Sequence, residues 1–320
     1  MPDLMRVPRT AAATLEHTFA VGETGVNSTT PVTVAATDAN GAAVFDDLAT
    51  GTGQGRYTVA QPPQAALRLL TVAWSGTIAG AAVVETDLVE ICGGFFFSLA
   101  EGRASDKALA DDAKYTTADL IAARSQTEQE CEEICDRAFV PRYGRRVLNG
   151  TGSTELLLPD HDIRLIRAVR VAPRLDEPFV ALSAGELAAL SVRVDQTLVR
   201  TDARVWTAGE DNVIVEYEFG LDQPPADLRR AAMRRFRWYL GIGRGTIPDR
   251  ATSWTAPDGS IYRLDMPAAF KTGLPDVDGP YGRYSLRPTG DEDGGGRTVP
   301  VSRLLTYDPQ HGSLFHGHRR

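Results

Sequence analysis

The chain has 320 residues, more than one hydrophobic core usually fills, so at least two folded units are expected. Hydrophobic residues make up 42% and charged residues 24%, which excludes a disordered chain, and no apolar run is long enough for a membrane-spanning helix. A net charge of -8 excludes a general nucleic-acid binder, because phosphate neutralisation needs a basic surface, so any DNA contact has to be a local patch.

The segment Met1 to Thr10 has no apolar core of a secretory signal, so the protein is expected to be made and kept in cytoplasm. From Thr10 to about Gly94, Thr- and Val-rich runs alternate in polarity and turn at short intervals on Gly, Asn and Asp. Pro31 to Ala35 places apolar side chains at every second position, Asp38-Ala-Asn40-Gly41 supplies a tight turn, and Ala43-Val44-Phe45 continues as a hairpin. Arg56 to Val59, Leu67 to Trp74 and Ala82 to Cys92 add strands, with a break at Pro62-Pro63. So many short strands in so short a stretch predict an antiparallel β-sandwich of immunoglobulin-like size.

The polar stretch Leu99 to Lys114 has the composition of a linker or exposed loop. A helix is predicted from Thr116-Thr117 to about Arg137, opened by a threonine cap and by Asp119 in its first turn. Leu120, Ala123, Thr127, Cys131, Ile134 and Ala138 form its apolar stripe, and Glu128, Glu130, Glu132, Glu133 and Asp136 form an acidic outer face. After Pro141 the period becomes two: Arg145 to Leu148, a glycine turn at Asn149 to Gly152, and Thr154 to Leu158 predict a second hairpin. Further strands are predicted at Asp162 to Val171, Thr197 to Arg200 and Val213 to Phe219, with a capped short helix from Ser183. Pro224-Pro225 opens a helix over 226–240 whose buried stripe is Leu228, Ala232, Phe236 and Tyr239-Leu240 and whose other face carries Arg229, Arg230, Arg234 and Arg237. Beyond Gly245 scattered aromatics without a period predict a segment that orders by docking.

Few residues offer chemistry. Cys92, Cys131 and Cys135 fit neither a disulfide framework nor a zinc pattern and read as reduced, apolar thiols. His161 lies between Asp160 and Asp162, yet nothing beside it offers an oriented nucleophile, so a hydrolase is the weakest reading. His311, His316 and His318 with Asp308 are too irregularly spaced for a metal site, and Gly51 to Gly55 and Gly241 to Gly245 complete no phosphate loop. No cofactor and no metal is expected. The acidic helix and the basic helix suggest instead a head-to-tail ring in which one subunit's acidic face meets its neighbour's basic face. The candidate interface residues are Glu128, Glu132, Glu133, Arg229, Arg230, Arg234 and Arg237.

From Tyr115 to about Leu240 the order of elements is similar to the head-to-tail adaptor (connector) proteins of long-tailed bacteriophages: Thr117 to Arg124, Glu128 to Ile134, the Phe139-Val-Pro141 corner, the turn ending at Gly152, Leu156 to Pro159, Ile163 to Val171 and a late helix. The N-terminal module resembles immunoglobulin-like domains appended to structural proteins of actinobacterial phages. The resemblance implies a multidomain α+β chain: an immunoglobulin-like β-sandwich over 1–103, a mainly helical adaptor domain with a β-hairpin insertion and small sheet over 104–245, and an extended C-terminal arm over 246–320. It further implies a structural protein of the virion neck without catalysis, forming a ring of about twelve subunits that joins the portal protein to a stopper or tail-completion protein. Double-stranded DNA would pass through its channel without sequence-specific binding, past acidic lining from Glu130 and Glu133. Trp254, Tyr262, Phe270, Tyr281, Tyr284 and Tyr307 are the arm residues that would dock on the portal. The alternative is a tail or surface protein whose sandwich binds a glycan through aromatics exposed at its tip.

Overall fold

The computed structural model describes residues 4–174, 177–241, 253–255, 261–263 and 270–287. Its first ten strands are β1 (Leu4–Pro8), β2 (Ala13–Thr18), β3 (Ala20–Val21), β4 (Thr24–Gly25), β5 (Thr33–Asp38), β6 (Ala43–Leu48), β7 (Thr50–Gly53), β8 (Arg56–Gln61), β9 (Arg68–Ile78) and β10 (Ala81–Cys92). They make a five-stranded sheet in the order β1-β10-β9-β5-β6, a three-stranded sheet β2-β8-β7 and a short β3-β4 ribbon. Alternation dictates the burial: Val34 and Ala36 point inward from β5, Val72 and Trp74 from β9, and they meet Leu15, Tyr57 and Val59 of the other sheet in one core. The hairpin expected at Asp38 to Gly41 is present, with Gly41 at φ +77 and the Asp38 carboxylate accepting the Asn40 amide at 2.8 Å. One strand departs from the expected antiparallel pattern, since β1 runs parallel to β10 along its whole length.

The expected linker at Leu99 to Lys114 is instead structured. Ser98 and Glu101 close a capping box on α1 (Leu99–Ala104), a helical turn follows at Lys107–Ala110, and Phe96, Phe97, Leu109 and Tyr115 sink into the helical core. The polar composition is that of the solvent side only. Helix α2 (Thr117–Cys135) opens on a Thr116/Asp119 capping box and closes on Asp136 in the left-handed region at φ +53. Its predicted stripe is buried throughout.

Between the long helices lie β11 (Arg142–Gly150), β12 (Glu155–Leu157), β13 (Ile163–Val171), β14 (Val180–Ala181), α3 (Ala184–Ala188), β15 (Leu190–Val192), β16 (Thr197–Arg200) and β17 (Gly209–Phe219). They form two sheets, β11-β17-β13-β14 and β12-β16-β15, around a shared core that includes Leu156, Leu198, Trp206, Val215 and Tyr217. The second hairpin is corrected here: β11 pairs with β17 and β12 with β16, so the two strands belong to different sheets. Gly150 sits against the Thr207 carbonyl, and its amide donates to Asn212 Oδ1 at 2.7 Å, so the glycines serve a close crossing and not a two-strand turn.

Helix α4 (Ala226–Gly241) buries Leu228, Ala232, Phe236 and Leu240 against α2, as its spacing predicts. Strands β18 (Ser253–Thr255) and β19 (Ile261–Arg263) pair antiparallel, and α5 (Pro275–Tyr284) follows. An extended arm is therefore corrected over 275–284. Pro275 begins a helix, Asp278 accepts the amides of Thr272 and Gly273 at 2.7 and 3.1 Å, and Val277 and Tyr281, one turn apart, bury themselves in the helical core.

Candidate functional site

Two features bear on assembly: a buried charge seam that joins the sandwich to the helical core, and the outer faces of α2 and α4. The seam starts from Arg6, which β1 presents beneath α2. Its Nη2 donates to Glu132 Oε2 at 3.0 Å, while Nε lies 3.4 Å from Glu90 and Nη1 3.7 Å from Glu128. Arg142, at the start of β11, donates to the same Glu90 and Glu132 carboxylates. The Phe96 amide donates to Glu128 Oε1 at 2.8 Å, and the Arg124 guanidinium lies 3.4 Å from the Phe95 ring centre. Burial pushes the Glu128 carboxyl up to about 7 and the nearby Cys92 thiol up to about 11. Removing one member of such a buried set strands the others, which fixes the relative position of the elements that supply them.

A second contact ties the sandwich to the sheet of β11, β17, β13 and β14. Asn40, at the β5–β6 turn, donates to Glu216 Oε1 at 2.9 Å and accepts from Arg170 at 2.8 Å, and Tyr143 donates to the other Glu216 oxygen. Both contacts lie at one end of the five-stranded sheet, since Arg6 pairs with Glu90, Glu90 with Leu69, and Asp38, beside the Asn40 turn, with Leu70.

The acidic outer face expected on α2 is corrected by this geometry. Glu128 and Glu132 face inward to the seam, so neither is available to a neighbouring subunit, and Glu130, expected in a channel, accepts a bidentate bond from Arg235 at 2.7 and 2.6 Å. The acidic and basic helices thus meet inside one subunit. Glu133 alone of the four glutamates on α2 stays exposed with no ion pair among the described residues. On α4, Arg229 pairs with Glu101, Arg234 with Asp276, and Arg237 donates to the Ser105 carbonyl at 3.2 Å. Arg230 is exposed and has no ion pair among the described residues.

The arm candidates separate. Tyr281 is fully buried and Tyr284 packs on Phe139 while donating to Asp227 at 2.8 Å, so both belong to the helical core and not to a docking surface. Phe270 is exposed beneath the Arg287 guanidinium, Trp254 and Tyr262 are paired positions of β18 and β19, and Tyr307 lies outside the described residues. Ser285, Leu286 and Arg287 donate to the carbonyls of Ile134, Cys135 and Glu133, capping the C-terminus of α2.

His161 lines a cavity of about 240 Å³ whose walls carry no serine, threonine or cysteine. Its flanking carboxylates are both engaged: Asp160 holds Arg146 and the Tyr217 hydroxyl, and Asp162 holds Arg137 at 2.6 and 2.9 Å. The arrangement orders a surface turn. Among the described residues no His, Cys, Asp or Glu cluster could hold a metal and no helix is long and apolar enough to cross a membrane; the histidine group at 308–318 lies outside them. In the sandwich, Phe19, Tyr57 and Trp74 are buried and offer no exposed aromatic platform.

Sequence reasoning missed Arg6, Glu90, Arg142 and Arg235. The available signal was the ladder Arg124, Glu128, Glu132, which runs at one-turn steps beside the apolar stripe and needs distant cations.

No protein-family model and no curated protein matches the chain. Among solved structures it resembles a chain of the neck of an empty gene transfer agent particle, computed with C6 symmetry, at 14% identity and TM-score 0.40, over 62% of this chain and 94% of that one. It also resembles a chain of the native particle's neck, computed with C12 symmetry, at 14% identity and TM-score 0.37 over 62% and 98%. A third likeness, to a chain of the virion of the native particle, has 16% identity and TM-score 0.39 over 61% and 92%. These likenesses are partial.

Proposed function

We propose that this chain is a structural protein of a phage-type neck, a head-to-tail adaptor that closes into a ring between the portal and a stopper or tail-completion protein. The observation that carries the reading is the element order from Tyr115 to Leu240: two long helices share one core, and the small sheets stand between them in sequence. The N-terminal sandwich, an immunoglobulin-like module in this reading, rides on the ring body through the Arg6, Glu90, Glu132 and Arg142 seam. DNA passes through such a ring without sequence readout, and the reading needs no cofactor and no catalytic group.

The test is the mass of the purified protein alone and with its candidate portal, measured by light scattering. A ring, formed alone or on the portal, supports the reading. A monomer that ignores the portal counts against it.

A further inference from the structure

Helices α2 and α4 turn buried faces toward each other and leave their outer faces open. On α2 the open face is Ala118, Ile121, Ala122, Gln126 and Gln129, ending at Glu133. On α4 it is Arg230, Arg234 and Trp238, one stripe at one-turn steps. Each face presents one large apolar side chain to solvent, Ile121 at 44% and Trp238 at 37% exposure. Each also presents one charge that no ion pair satisfies among the described residues, Glu133 on α2 and Arg230 on α4. The other carboxylates of α2 are engaged within the subunit: Asp119 in the cap, Glu128 and Glu132 in the seam, Glu130 on Arg235.

We infer that α4 of one subunit docks antiparallel on the outer face of α2 of the next, with Trp238 covering Ile121 and Ala122 and Arg230 paired to Glu133. The inference rests on the ring reading above and names its interface. The order of groups selects the direction. On α2 the apolar residue comes first and the charge last, whereas on α4 the charge comes first and the indole last, so only an antiparallel approach matches apolar to apolar and charge to charge. At a rise of ~1.5 Å per residue the two groups are about 18 Å apart on α2 and about 12 Å apart on α4. Helical side chains lean toward their own N-terminus, so Arg230 reaches in the direction of Glu133 and closes that difference. Ala118 and Ala122 leave room for the indole, and a tryptophan and an arginine are the side chains that most often anchor an interface. The contact joins two different faces, so it is head-to-tail and closes a ring if its rotation permits.

The test combines charge reversal with cross-linking on the full chain. Arg230→Glu or Glu133→Arg alone should abolish rings at moderate salt, and the two together should restore them. In a Gln126→Cys, Arg234→Cys protein, which keeps Trp238, Ile121, Arg230 and Glu133, mild oxidation of assembled rings should give a ladder of covalent oligomers; the native cysteines are all buried and do not compete. Every substituted residue is exposed, so circular dichroism should remain that of the unsubstituted protein. Rings of full mass from Arg230→Glu alone, with no covalent ladder, overturn the interface and leave the adaptor reading standing. Unsubstituted protein that stays monomeric on the portal overturns both.

Discussion

Replacing Glu128 with Gln tests the charge seam through its pH dependence. Burial raises the Glu128 carboxyl from 4.5 to about 7, so the native state holds a proton that the unfolded chain has already lost. The sign follows from linkage: the stability it contributes is fully present below pH ~4.5, falls by about 1.4 kcal/mol per pH unit as the unfolded chain ionises first, and is lost by about pH 7. The total is about 3 kcal/mol, with no discount for solvent because the side chain is fully buried. Glutamine is neutral at every pH and keeps an acceptor for the Phe96 amide. The groups that face Glu128 are Arg6 on β1, the Phe96 amide, and Arg124 and Glu132 on α2 itself. All are present in both proteins and cancel in the difference. Urea denaturation at several pH values between 4.5 and 8 should therefore show the variant gaining about 3 kcal/mol on the unsubstituted protein as pH rises. A difference that stays constant across that range refutes the assignment of a buried, protonated carboxyl.

Three further changes probe the same architecture. Tyr281→Ala should cost about 3–5 kcal/mol, as for other large buried aromatics, and should make 275–287 sensitive to limited proteolysis; unchanged cleavage would show that α5 is not anchored there. Arg235→Ala should destabilise by about 3 kcal/mol in urea titrations because it strands Glu130 at the α2–α4 contact. Gly93→Ala would place a methyl 2.6 Å from three carbons of Pro141 at the junction of sandwich and helices, and should lower stability by about 1–3 kcal/mol in thermal unfolding.

Much of the fold was legible because local signals agreed with tertiary context. The Asp38 to Gly41 turn, the Thr116 cap, the Ser183 box and the two apolar helix stripes each carry their own geometry. The errors came where a partner far along the chain decides the outcome. Glu128 and Glu132 are acids on a helix and default to solvent, but Arg6 and Arg142 draw them inward. Asn149 to Gly152 has hairpin chemistry, yet β11 finds its partner in β17, more than fifty residues later. Gly279, Pro280 and Gly282 are breakers inside α5, which holds because Asp278 organises the turn before it and Tyr281 is buried. For the site, the charge segregation was visible, but which charges remain unspent was not, because that depends on pairs such as Glu130 with Arg235.

The central claim, that this protein is a ring-forming neck component, is tested most directly by electron imaging of the protein bound to its candidate portal. The account predicts a closed ring stacked coaxially on the portal, with the sandwich attached at a fixed position on each subunit. Portal rings that carry no added density would contradict it.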